Sequence, residues 1–172
     1  MSTLPASSFD LVQGYATDLG EVMATMDAAF DPSFGEAWTR SQCGSILVLP
    51  GVWLLLARID GAAAGFALAR SVIDEAELLL LAVPPAQRRA GVGRAMLDAI
   101  ADEARSRGAI QLHLEMRDGN PAGRLYAEAG FREVGRRPRY YRGRDGRSHD
   151  AITLACPLAS DEAKTGHATN RL

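Results

Sequence analysis

The sequence predicts a mixed α/β domain, with a part-parallel, part-antiparallel sheet of about six or seven strands flanked by about four helices. Three observations carry this. Apolar segments of period 2 and period 3.6 follow one another in the order β-α-α-β-β-β-α-β-α-β-β. Asp60-Gly61 joins two strand segments as a tight hairpin, which makes that pair antiparallel. The helical segment from Gly91 to Arg107 lies between two strand segments and has the length of a crossover between parallel strands.

Taken in chain order, Phe9 to Val12 forms a short first strand. Thr17 is placed to cap a helix over residues 18–30, where Leu19, Val22, Met23, Met26 and Phe30 recur at helical spacing. Asp31-Pro32-Ser33-Phe34-Gly35 breaks that helix, and a second short one is expected around Trp38. Val52–Ile59 reads as a buried strand and Ala62–Val72 as its hairpin partner. Asp74-Glu75 then turns the chain into a central strand, Glu77–Val83. The helix Gly91–Arg107 places Val92, Ala95, Met96, Ala99, Ile100 and Ala104 on one face, with Gly108 as its C-terminal stop. Gln111–Met116 alternates polar and apolar residues, as a half-exposed strand does. Asn120-Pro121 starts a helix that Gly130 ends. Phe131–Val134 and Asp150–Leu154 close the sheet, separated by an Arg-rich segment with a turn at Asp145-Gly146. One domain over residues 1–158 and a disordered polar tail over 159–172 are expected.

Composition narrows the function classes. Hydrophobic residues make up 47% and charged residues 23% of the 172, the balance of a soluble globular protein. The net charge of −2 argues against wholesale attraction to nucleic acid or to anionic membrane. Charge is nonetheless uneven: seven arginines lie between Arg132 and Arg147, and Asp74, Glu75 and Glu77 form an acidic cluster. The two cysteines, Cys43 and Cys156, match neither a metal-site spacing nor a disulfide framework. No basic-then-apolar leader pattern precedes Leu11, and no apolar run reaches the length needed to span a bilayer. A cytoplasmic protein without a metal, in a reducing compartment, is the expectation, as a monomer or weak dimer.

The most informative stretch is Leu78–Gly93, LLLLAVPPAQRRAGVG, in which an apolar strand meets a Pro-rich turn and then a helix. Small residues at Ala90, Gly91 and Gly93 let the backbone approach a ligand without Cβ clashes. The first N–H groups of the helix lack internal partners and sit at its positive end, which makes a socket for phosphate oxygens. Arg88 and Arg89 can add charge-assisted hydrogen bonds at the rim. A dinucleotide fingerprint would require a third glycine where Met96 stands, and a nucleoside-triphosphate loop would require Gly-Lys-Ser/Thr, which is absent.

The segment Arg88-Arg89-Ala90-Gly91-Val92-Gly93 resembles the acetyl-coenzyme A pyrophosphate loop of the GNAT N-acetyltransferases. Asn120-Pro121-Ala122-Gly123-Arg124-Leu125-Tyr126-Ala127-Glu128-Ala129-Gly130-Phe131 is similar to the same family's Asn…Ala-x-x-Leu-Tyr-x-x-x-Gly-Phe signature, with one residue fewer than usual between the asparagine and the tyrosine. Arg136–Tyr141 (RRPRYY), Asp145-Gly146-Arg147 and Asp150-Ala151-Ile152 resemble one branch, the RimI-type bacterial acetyltransferases of a ribosomal-protein N-terminal alanine. The resemblance covers about residues 62–158; Phe30–Trp38 departs from the branch, which has a shorter Pro-Trp element there.

The resemblance implies the GNAT fold, acetyl-CoA as co-substrate, and a protein N-terminus of a small-subunit ribosomal protein as partner, with no direct nucleic-acid or membrane contact. It implies that backbone groups of Leu81, Ala82 and Val83 pair with the pantetheine arm, and that Arg88, Arg89, Ala90, Gly91, Val92, Gly93 and Arg94 hold the pyrophosphate. Asn120 contacts the cofactor, caps its helix, or does both. Glu115 matches the general base and Tyr126 the acid that protonates the leaving sulfur, while Tyr140 and Tyr141 match the tyrosines lining the peptide cleft. Gln111, His113 and Glu115 share one strand face, so His113 is a competing base. The acidic cluster is a candidate attractor for a basic acceptor tail. Neither cysteine lies in an activating motif, so acyl transfer is expected to be direct. Neutralising an α-amine at pH 7 costs about 1.4 kcal/mol against about 4.6 kcal/mol for a lysine, which favours an α-amine acceptor for a single carboxylate base. A small amine, a lysine side chain and a non-catalytic coenzyme-binding module remain the alternatives.

Overall fold

A computed structural model describes residues 8–158, so the tail expected over 159–172 lies outside the described residues. The elements are β1 (Asp10–Gly14), α1 (Leu19–Ala29), α2 (Arg40–Leu47), β2 (Val52–Ile59), β3 (Ala62–Val72), β4 (Glu75–Ala82), α3 (Val92–Ser106), β5 (Gln111–Arg117), α4 (Gly123–Glu128), β6 (Arg132–Arg142) and β7 (Ser148–Pro157). They form one seven-stranded sheet of order β1-β2-β3-β4-β5-β7-β6. Every neighbouring pair is antiparallel except β4 and β5, which α3 connects. The mixed sheet and four helices are as the residue pattern predicts.

Each face of the sheet carries its own core. On one face α3 buries Val92, Met96, Leu97, Ile100 and Ala104 against Ala67, Ala69, Leu78, Leu112 and Leu114. On the other, Val22 and Met26 of α1 and Cys43 of α2 cover Leu54, Leu56, Phe66, Leu68 and Leu80. Covering both faces explains why β2, β3 and β4 read as nearly continuous apolar runs rather than alternating ones. Each fully buried Leu, Met or Phe side chain contributes about 2 kcal/mol.

One slip of register matters more than the rest. Between Leu68 and Ala69 of β3 the pairing skips a position, which leaves Leu79 as an extra residue on β4. Ala76 and Leu78, before the bulge, face α3; Leu80 and Ala82, after it, face α1. A single bulged residue thus reverses the two faces of the strand partway along its length.

Several boundaries differ from the sequence expectations. Thr17 does not cap α1: a 3₁₀ turn over Ala16–Asp18 precedes it, and the Asp18 carboxylate accepts the Tyr15 N–H at 2.8 Å. α4 begins at Gly123 rather than Pro121, because Asn120 Oδ1 accepts the Ala122 N–H at 2.9 Å and closes a turn first. The second short helix starts just after Trp38, capped by Thr39 with Gln42. β6 and β7 are far longer than predicted, because the Arg-rich segment is part of their hairpin rather than a loop. Its charge reads as loop, yet arginines, a proline and a bulge are what guards an exposed edge strand. Pro138 sits in the unpaired stretch between Arg137 and Tyr141, where no ladder N–H is required.

Candidate active site

The parallel seam between β4 and β5 closes over half its length only. Glu75 to Leu78 pair with Gln111 to Leu114. Beyond that point β4 stays paired with β3 as far as Ala82, and β5 stays paired with β7 as far as Arg117. The facing edges of Leu79–Ala82 and Glu115–Arg117 therefore have no strand partner in each other. The bulge at Leu79 sits where the seam opens. Leu81 and Ala82 lie along this open edge, to which the backbone groups of alternate residues turn, and Val83 continues from it.

At the head of the opening lies the start of α3. Ala95 makes the first helical bond, its N–H donating to Gly91 O at 3.0 Å, so the N–H groups of Val92, Gly93 and Arg94 have no helical acceptor. Gly91 has φ +83°, and a Cβ built there would meet nothing within 4 Å. Glycine is thus required by backbone conformation, with open space in front of it. Arg89 also has positive φ, +65°, and its exposed side chain has no ion-pair partner among the described residues. A socket of free amides with an adjacent open strand edge fits a long ligand that carries both phosphates and an amide-bearing arm.

Three of the predicted cofactor residues have partners within the protein. Arg88 donates from Nε to Val83 O (2.9 Å) and from Nη2 to Ala29 O (2.8 Å), tying the end of α1 to the end of β4. Arg94 pairs with Asp98 one turn on, at 3.0 Å. Asn120 is likewise engaged at both ends, through Ala122 N–H and through its own Nδ2, which donates to Glu36 Oε1 at 3.0 Å.

The candidate base and acid stand on different elements, β5 and α4. Glu115 is on the open part of β5, half-buried, with Oε2 3.8 Å from Arg137 Nε. His113, the competing base, lies on the closed part opposite Glu77, with Nε2 3.7 Å from Glu75 Oε1. Tyr126 is buried in α4, edge-on to Phe131 at 5.8 Å. Burial first, and then the charge of Glu36, push its hydroxyl well above the usual phenol range. Tyr141 is pushed up to about 12 by burial, then by Glu115 and Glu36. Tyr140, its edge-on neighbour at 5.2 Å, is 53% exposed. The bulge that precedes Tyr141 is held by Asp150, whose Oδ1 accepts the Arg139 N–H at 3.0 Å.

The acidic cluster does not border this opening. Glu75 and Glu77 start β4 in the closed half of the seam, and Glu77 is paired with Arg70 at 3.1 Å.

Two residues that sequence reasoning missed complete the site. Arg117 is only 6% exposed, stacks over Phe34 at 3.7 Å, and approaches Glu36 Oε2 with its Nε at 3.4 Å. Extending the 111-113-115 alternation by one step would have found it. Glu36 comes from the segment between α1 and α2, the stretch noted as departing from the branch. No periodicity marks it, because its partner Asn120 is 84 residues away.

The Acetyltransferase (GNAT) family profile matches residues 19–131. A [Ribosomal protein bS18]-alanine N-acetyltransferase from Escherichia coli is 44% identical over 101 residues, covering 58% of this chain and 68% of that protein. The N-alpha-acetyltransferase RimI of Mycobacterium tuberculosis is 32% identical over 145 residues, 81% of this chain and 87% of that one. The crystal structure of the E. coli ribosomal-protein-S18-alanine N-acetyltransferase superposes with a TM-score of 0.80 at 31% identity, covering 95% of this chain and all of that one. With its seven-stranded sheet, its half-open seam and these relatives, the chain belongs to the acetyltransferase (GNAT) family and is an N-acetyltransferase.

Proposed function

We propose that the protein transfers an acetyl group from acetyl-CoA to the α-amine of a protein N-terminus, the alanine of a ribosomal protein of the bS18 kind. The acceptor rests on the named activity of relatives up to 44% identical. The observation that carries the cofactor reading is the open seam meeting the unpartnered amides of α3. In this reading the amides of residues 89–94 hold the pyrophosphate, and the open edge at Leu81–Val83 holds the arm. When bound, acetyl-CoA supplies the activated acyl group.

The chain's own residues handle protons and position. Glu115 takes the proton of the attacking amine, directly or through one water. Tyr126, kept neutral by burial, holds the proton that the leaving group needs. Tyr140 and Tyr141 line the acceptor side. Arg88 and Asn120 serve by fixing loops, since both side chains hydrogen-bond within the protein. Transfer is direct: Cys43 is fully buried in the α1 core, and Cys156 pairs with Leu112 at the closed end of the seam. Among the described residues no helix is long and apolar enough to cross a membrane, and a cytoplasmic enzyme is part of the proposal.

A peptide panel tests it. Acetylation of a free alanine-terminal peptide, with no product from the same peptide carrying a blocked N-terminus and a free lysine, is the expected result. Acetylation of the lysine, or of neither peptide, contradicts it.

A further inference from the structure

Glu36 occupies a place that none of the predicted roles explains. Its carboxylate is buried, 11% exposed at the side chain, beside an arginine side chain 7% exposed. Removing two charges from water is costly, and a carboxylate kept there in a surface loop needs a reason beyond packing. Its two oxygens reach two different elements. Oε2 approaches Arg117, two residues beyond Glu115 on the same face of β5, and Oε1 accepts from Asn120 at the entry to α4, the helix of Tyr126. The Asn120 backbone O accepts the Gly123 N–H that begins that helix, so orienting Asn120 orients the start of α4. The loop around Glu36 is pinned to the β6–β7 hairpin as well. Arg144 N–H donates to Ser33 O at 3.1 Å, Phe34 meets His149 edge-on at 5.6 Å, and a Cβ on Gly35 would lie 2.8 Å from Arg142 O.

We propose that Glu36 is a positioning residue for acyl transfer: from the α1–α2 loop it locks the base strand β5, through Arg117, and the acid helix α4, through Asn120, into one arrangement. The inference rests on the assignment of acid and base to Tyr126 and Glu115, and extends it to a residue that touches neither proton. The charge of Glu36 also reaches the hydroxyls of Tyr126 and Tyr141, both of which it helps keep neutral. A misplacement of about 1 Å between reacting groups costs up to about a hundredfold in rate, so a lock of this kind acts on turnover.

The test uses the full chain and two variants. In Glu36→Gln the side chain keeps its length and still accepts from Asn120, but leaves Arg117 buried without its counter-charge. Its melting temperature is expected to fall by about 10 °C. Its kcat is expected to fall about tenfold or more, with the KM for acetyl-CoA within about twofold of wild type. The double variant Glu36→Gln, Arg117→Met removes both buried charges, and its melting temperature is expected to return to near wild type. The proposal requires kcat to stay low in that double variant. If kcat recovers together with stability, or never falls in Glu36→Gln, Glu36 is a structural counter-ion only and the proposal is overturned. Glu115→Gln assayed beside them separates the two levels: wild-type turnover in that variant removes the assignment beneath, whatever Glu36 does.

Discussion

The two halves of the β4–β5 seam are continuous along both strands and behave differently. In the closed half, Glu75–Leu78 and Gln111–Leu114 form an ordinary parallel ladder, with polar side chains on one face and apolar ones on the other. In the open half, both strands continue but no longer meet. The difference is one bulged residue, Leu79, which reverses the faces of β4 and coincides with the parting of the strands. A sheet can therefore expose a binding edge in its interior without losing either core, because β3 and β7 still hold the two strands from outside.

The largest effects should fall on Glu115 in the open half and on Tyr126 in α4, and not on the closed half. Glu115→Gln and Tyr126→Phe are each expected to lower kcat by about a hundredfold, the range of a lost general acid or base, with acetyl-CoA affinity nearly unchanged. His113→Gln, on the same face of β5 but in the closed half, is expected to change kcat by less than about threefold. A large loss in the His113 variant would make the two halves functionally alike.

Next in size is the loop at the head of the seam. Gly91→Ala places a Cβ at φ +83°, a conformation that costs about 1 kcal/mol or more for a non-glycine residue. The expected result is at least about tenfold weaker binding of acetyl-CoA by calorimetry, with a smaller loss of melting temperature than at a buried site. Gly108→Ala, also at positive φ but at the far end of α3, should cost similar stability and leave binding unchanged.

The smallest effect concerns acid. Asp150 holds the β6 bulge, and its carboxyl lies below the usual carboxylate value because the Arg139 N–H and then Arg136 favour the charged form. A carboxyl lowered in the folded state contributes stability above about pH 4, and that contribution is lost as pH falls further. Asp150→Asn should therefore be less stable than wild type near neutrality, with the gap narrowing below about pH 4, as read by thermal melts against pH.

Much of this architecture was legible in the chain, and the reasons separate cleanly. β2 and β3 matched their predicted limits because Asp60-Gly61 and the flanking apolar runs are local signals. Gly108 and Gly130 ended their helices as predicted, since a positive φ is written in the residue itself. The long β6–β7 hairpin was hidden because edge strands carry the charges that loops do. The free amides at α3 follow from a loop motif, but the seam opening depends on register between β3 and β4, which no single segment encodes. Glu36 and Arg117 were invisible for the same reason: their meaning lies in a contact across the chain.

Amide hydrogen exchange with and without coenzyme A tests the open seam most directly. New protection is expected at Leu79–Val83 and at residues 91–94, and none at Glu75–Leu78, which the parallel ladder already protects. Coenzyme binding that leaves the 79–83 amides exchanging as before would contradict it.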